Sequence, residues 1–126
     1  MAVAVRGYAP SPGGEPEQVI AMDGRDWPSY AWRFDAGDGT SNVGFGMLLP
    51  SLRANPSGKQ VLHERMVELL PETAGAVKMR SHHLPLSTSR PVQPRGRVLL
   101  VGDAASLVNP LTGEGIFYAL LSGRLA

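Results

Sequence analysis

Cysteine is absent from the 126-residue chain, which excludes disulfides, thiolate metal sites and a catalytic thiol together and suits a cytoplasmic protein. A dominant charge is absent too. With 12 basic and 11 acidic residues spread along the chain, the formal net charge is +1, so the electrostatic footprint of a nucleic-acid binder is missing. No stretch approaches the ~18 apolar residues of a membrane-spanning helix. The opening MAVAVRGYAP has only a short apolar run before Arg6, without the longer hydrophobic region and small-residue cleavage pattern of a signal peptide. Any membrane contact would be peripheral. His63, His82 and His83 are not spaced to hold a metal, and none is expected.

What the chain does contain is glycine and proline, 15 and 11 residues, a usage that points to many turns and short strands. Ala2 to Tyr8 and Gln18 to Met22 read as strands around the breaker cluster Pro10-Ser11-Pro12-Gly13-Gly14. Tyr30, Trp32 and Phe34 alternate with Ala31 and Arg33. After Gly37-Asp38-Gly39, Val43, Phe45 and Met47 alternate with glycines, which predicts a hairpin. Ser57 three residues before Gln60, with Leu62, Met66, Leu69 and Leu70 at helical spacing before Pro71, predicts a helix over about 58–70. Ala76–Met79 and Leu84–Leu86 read as extended, with His82 and His83 in a loop.

The character changes at Arg97-Val98-Leu99-Leu100-Val101. This nearly continuous apolar run predicts a strand covered on both faces, hence a parallel sheet whose other strands this chain does not supply. Gly102 lets a backbone or ligand come close. Asp103 then stands at the carboxyl end of the strand, where open α/β sheets bind ligands and a carboxylate can accept from sugar hydroxyls. Asn109-Pro110 forces a turn. Thr112 is positioned to cap a helix whose first turn holds Gly113 and Gly115, a helix mouth whose unpaired N–H groups favour electron-rich ligand atoms. Ile116, Ala119, Leu120 and Gly123 share one face of that helix, and the sequence stops without a Gly or Pro terminator, as expected of part of a larger two-domain protein.

The segment Gly102-Asp103-Ala104-Ala105, then Pro110 and Gly113-Glu114-Gly115, resembles the third FAD motif of the para-hydroxybenzoate-hydroxylase-like flavoproteins. Tyr30-Ala31-Trp32-Arg33-Phe34 followed by Asn42-Val43-Gly44-Phe45-Gly46, together with Val3-Ala4-Val5-Arg6-Gly7-Tyr8, is most similar within that superfamily to the geranylgeranyl reductase family. The resemblance implies an antiparallel-sheet substrate domain over residues 1–95, and over 96–126 the last strand and helix of a Rossmann-like FAD-binding domain, an α+β and α/β combination. It implies FAD as cofactor, held by Gly102, Asp103, Ala104, Pro110, Gly113, Glu114, Gly115 and Ile116, and an isoprenoid substrate lined by Tyr30, Trp32 and Phe34. NAD(P)H is the implied electron donor to the full-length enzyme, which would reduce carbon–carbon double bonds of a prenyl chain at the membrane surface. No catalytic residue is assigned.

This sequence departs from the family in three places. Asp35 stands where the aromatic trio is usually followed by proline, and the dinucleotide fingerprint GxGxxG and the middle Asp-Gly motif are both absent. Two other functions fit the same motif: an FAD-dependent aromatic monooxygenase or halogenase, and a non-catalytic α+β binding module. Without the motif, Tyr30, Trp32 and Phe34 read equally well as core and Asp103 as a solvated turn.

Overall fold

The computed structural model describes residues 1–126, which divide into two compact units, Val3–His82 and His83–Ala126, the latter together with Met1–Ala2. The first unit is a five-stranded antiparallel sheet in the order β2-β3-β4-β1-β5, built from β1 (Ala2–Pro10), β2 (Gln18–Asp23), β3 (Ser29–Asp35), β4 (Thr40–Leu48) and β5 (Val77–Leu84). The predicted hairpin is β3–β4, in antiparallel register from Tyr30 opposite Gly46 to Asp35 opposite Ser41. Gly37 and Gly39, at φ +82°, supply the left-handed geometry of its turn.

Strand alternation decides which side is packed. Val3, Val5 and Ala9 of β1, Ala31 of β3, and Val43, Phe45 and Met47 of β4 are buried against the helices α1 (Leu49–Ala54) and α2 (Gln60–Leu69), which contribute Leu52, Val61, Leu62 and Met66. Phe45, Leu62 and Met66 are essentially inaccessible, and burial of each stabilises the unit by about 1.5–3 kcal/mol. The helical spacing of Leu62 and Met66 is thus a packing stripe. Ser57 does not cap it: the helix starts at Gln60 after a turn in which Asn55 Oδ1 accepts from Ser57 N–H, and no side chain bonds the helix start.

Two ion-pair networks close polar gaps at the edge of this core. Arg33, 6% exposed, bonds Asp35, Glu17 and Glu72 at 2.8, 2.9 and 3.3 Å. Asp23, 3% exposed, takes Arg25 at 3.0 Å and Arg65 at 3.2 Å. No buried side-chain polar atom is left without a partner, so the desolvation cost of these groups is compensated locally.

Two expectations fail, and one element went unread. Helix α1 holds Pro50 in its first turn, where the missing N–H costs nothing. His82 and His83 lie within β5, not in a loop. Residues 97–101 form no strand: a β-strand needs a ladder partner, and the run has none. Instead Gln93 bonds Leu100 on both sides, its Nε2 donating to the carbonyl at 3.0 Å and its Oε1 accepting from the N–H at 2.9 Å. Val98 and Leu99 are more than half exposed.

Candidate functional site

In the unit His83–Ala126, the chain enters a 3-10 turn at Gly102–Ala105 and leaves it through Ser106, which is left-handed at φ +53°. Val108 then pairs with Leu86 in an isolated parallel bridge, and Ser87 N–H donates to Val108 O at 2.8 Å. Helix α3 (Ile116–Leu125) packs back on the turn. Gly102, at φ +53°, has no room for a side chain, since a Cβ built there would stand 3.2 Å from Ala119 Cβ. Gly102 N–H donates to Ser122 Oγ at 3.0 Å, and Ser122 Oγ donates to Tyr118 O at 2.6 Å. A serine two turns into the helix therefore latches the turn to it, a link that the sequence pattern did not reveal.

Asn109 organises the loop between them. Its Oδ1 accepts from Leu111 and Thr112 N–H at 2.9 and 3.2 Å, its N–H donates to Glu114 O at 2.8 Å, and its carbonyl accepts from Gly113 N–H at 2.9 Å. Gly113 turns the chain at φ +70°. The cap of α3 is Gly115, not Thr112, whose Oγ1 instead accepts from Glu114 N–H at 3.3 Å. The Glu114 carboxylate reaches forward and accepts from Phe117 N–H at 2.7 Å, occupying one of the unpaired amides of the first turn.

Other amides of the helix start stay free. Among them, the N–H groups of Gly115 and Ile116 donate to nothing in the chain, and the exposed Asp103 carboxylate takes no hydrogen bond or ion pair. They belong to one spot: a Cβ built on Gly115 would lie 3.6 Å from Asp103 Oδ1 and 3.2 Å from Val108 Cγ2. A side chain at position 115 would fill the recess between carboxylate and helix mouth. The carboxylate and the half-positive helix start thus stand side by side, with a glycine at the contact. Ala104 is exposed on the turn and Pro110 half-buried in the loop, flanking this spot in sequence.

In the unit Val3–His82, Tyr30, Trp32 and Phe34 are half-buried and lie on the sheet face turned away from α2, because Ala31 and Arg33 between them face the core. They are not part of that core. Trp32 lies over Gly44: a Cβ built there would stand 2.2 Å from Trp32 Cζ2 and 2.3 Å from Val5 O. Trp32 Nε1 donates to Asn42 Oδ1 at 2.9 Å, fixing the indole, and the Tyr30 ring centroid is 6.0 Å away. Burial raises the pKa of the Tyr30 phenol above its ordinary value. Across the edge strand, Ile20 pairs with Trp32 and Met22 with Tyr30, and both stay roughly half exposed, widening the apolar strip beyond the three aromatics.

No family model matches the chain. It is 36% identical to a menaquinone reductase of Mycolicibacterium smegmatis over 98% of its own length and 33% of that protein's. It is 37% identical to a digeranylgeranylglycerophospholipid reductase of Methanocella arvoryzae over 77% of its length and 24% of that protein's. Among solved structures, a geranylgeranyl bacteriochlorophyll reductase-like protein of Thermoplasma acidophilum superposes with a TM-score of 0.74 at 26% identity, over 97% of this chain and 31% of that one. A myxobacterial chondrochloren halogenase shares the fold at a TM-score of 0.56 and 22% identity. The chain spans about a third of the length of the curated relatives it matches first. Over that third, which carries the Gly-Asp-Ala-Ala turn, the helix mouth and the aromatic hairpin, the chain is similar to menaquinone and digeranylgeranylglycerophospholipid reductases and to a geranylgeranyl reductase-like fold.

Proposed function

We propose that the chain is part of an FAD-dependent oxidoreductase that reduces carbon–carbon double bonds in an isoprenoid chain, such as the tail of a quinone or of a prenyl lipid. The observation that carries this reading is the closeness of the Asp103 carboxylate to Gly115 at the start of α3, where the amides of Gly115 and Ile116 have no partner in the chain. The residues fit a flavin. Asp103 would accept from ribityl hydroxyls, Gly115 and Ile116 would donate to the electron-rich edge of the ring, Gly102 and Gly113 set the backbone path, and Ala104, Pro110 and Glu114 would complete the site. FAD, when bound, supplies the hydride, with NAD(P)H as the ultimate donor.

The sheet face of Tyr30, Trp32 and Phe34 serves the substrate, offering flat apolar contact and excluding water from a prenyl chain. The names of the relatives support reduction over the oxygen-inserting alternatives, since the halogenase likeness is one of fold. No helix is long and apolar enough to cross a membrane. The reading places the protein in the cytoplasm, meeting a lipid-borne substrate at the membrane surface.

A chimera tests this. The segment replaces the matching third of the mycobacterial menaquinone reductase, and the purified product is assayed for bound flavin and for gain of two hydrogens per prenyl double bond by mass spectrometry. Retained flavin and a saturated product are expected, with flavin lost in Asp103→Ala. A folded chimera without flavin, or one that inserts oxygen, overturns the reading.

A further inference from the structure

The near-zero net charge of the chain conceals a local imbalance. From Thr73 to Gly102 there is no acidic residue, while Lys78, Arg80, Arg90, Arg95 and Arg97 fall in that stretch, leaving seven of the 12 basic residues to face all 11 acidic ones elsewhere. All five cations are exposed. Arg25, Arg33 and Arg65 pair with carboxylates, whereas these five form no ion pair in the chain.

The stretch is cationic at both of its ends, which lie in different units. At the β5 end, Lys78 and Arg80 line an open cavity of about 410 Å³ with Arg6, Tyr8 and Met79, so that three of its five lining residues are cations and none is acidic. Arg6 is held there by Tyr8, whose ring centroid lies 5.3 Å from the guanidinium and whose Oη accepts from Nη1 at 2.9 Å. Unpaired cations this close repel one another, and an anionic surface removes that repulsion.

At the other end, residues 88–99 are exposed without interruption. Arg90, Arg95 and Arg97 stand there around Val92, which is 92% exposed. Within 90–97 the only hydrogen bonds are the two that the Gln93 side chain makes to Leu100, and Pro91 and Pro94 have no N–H to satisfy. Such a segment can lie in a lipid headgroup layer without breaking internal structure, its arginine stems against the apolar boundary and their heads among phosphates.

A polyanion of the other kind fits less well. Residues 73–102 contain no aromatic side chain, so they offer no platform on which nucleic-acid bases could stack. The exposed Val77 and Val92 instead suit a boundary with hydrocarbon on one side.

We propose that the acid-free stretch carrying Lys78, Arg80, Arg90, Arg95 and Arg97 is the surface by which the protein meets an anionic phospholipid bilayer. The phosphates it touches belong to the surrounding lipid, whichever molecule is reduced. This deepens the membrane-surface placement proposed above and rests on it for the need of a bilayer; the lipid contact itself rests on charge and exposure.

The test is co-sedimentation of the full 126-residue chain with vesicles of phosphatidylcholine alone and of phosphatidylcholine containing about 30% phosphatidylglycerol. Binding to the anionic vesicles alone is expected, and raising the salt to about 0.5 M should release it. Each engaged cation contributes about fivefold, so Arg90→Gln/Arg95→Gln should weaken binding at least about tenfold. Arg53→Gln/Lys59→Gln removes the same charge from exposed positions outside the stretch and should change binding less than about threefold. Thermal midpoints establish that both variants are folded. Equal binding to the two vesicle types, or none to either, overturns the proposal and leaves the reductase reading to the chimera. Equal weakening by the two double variants overturns the location. Tighter binding of a single-stranded DNA oligonucleotide than of the anionic vesicles, at the same salt, overturns the bilayer in favour of nucleic acid.

Discussion

Replacing Gly44 with alanine isolates the feature that shapes the proposed substrate face. The new methyl would stand 2.2 Å from Trp32 Cζ2 and 2.3 Å from Val5 O, more than 1 Å inside ordinary contact on both sides. The indole can yield only by leaving its place over β4 and giving up the 2.9 Å hydrogen bond to Asn42, worth about 0.5–1.5 kcal/mol net. The Val5 carbonyl is backbone and cannot rotate away, so β1 must shift, an overpacking strain of about 1–3 kcal/mol. Together these give a loss of roughly 2–4 kcal/mol, or a fall in Tm of about 6–15 °C for a chain of this size. Urea and thermal unfolding followed by circular dichroism measure it directly. In a Trp32→Ala background the same substitution should cost less, but not nothing, because the Val5 carbonyl remains. A Gly44→Ala protein within about 0.5 kcal/mol of wild type would refute the account of the glycine as a seat for the indole.

Other outcomes follow from the site and the polar networks. The chain on its own should not carry FAD through gel filtration, because it offers one carboxylate and the amides of a single helix start and contains no GxGxxG turn; a stoichiometric yellow complex would contradict this. Gly102→Ala puts a β-carbon on a left-handed residue 3.2 Å from Ala119 and should destabilise the turn by about 1–2 kcal/mol, read as earlier proteolysis in the segment 97–126. Hydrogen bonds from Ser41 and the Glu17 N–H, with Arg33, hold the Asp35 carboxyl far below its ordinary value; at Asp23 burial pushes the other way but the Arg25 contacts prevail, lowering it too. Both folded-state values lie below the unfolded 3.8. Their stabilisation is therefore complete at pH above about 4–5 and lost as pH falls below, so Asp35→Asn should flatten the acid limb of a Tm-against-pH curve.

Local pattern revealed most of the sheet. Alternation at Tyr30–Phe34 and Val43–Met47 is a period-2 signal that tertiary packing reinforces, and the breaker clusters fall at the turns. Helix α1 was hidden by Pro50, which is a breaker inside a helix and an asset at its first turn. The apolar run at 98–101 shows the limit of composition: hydrophobicity announces capacity for a strand, while the strand itself depends on a neighbour. The Asp103–Gly115 juxtaposition was anticipated from the motif. What no pattern displayed was the division of amides, with Gly113 spent on Asn109 and Phe117 on Glu114, because carbonyl and carboxylate reach depends on loop geometry. The pairing of β1 with β5, which brings Arg6 and Lys78 to one cavity, was equally hidden.

The glutamine beside Leu100 carries a consequence for how that segment can behave. A carboxamide offers one donor and one acceptor in the same spacing as a peptide group, so Gln93 imitates a single residue of an adjoining chain. Any polypeptide edge arriving at residues 98–101 would trade like for like, two hydrogen bonds for two, and the exposed valine and leucine alongside would gain cover. The segment is held by a placeholder, ready to exchange it at almost no enthalpic cost.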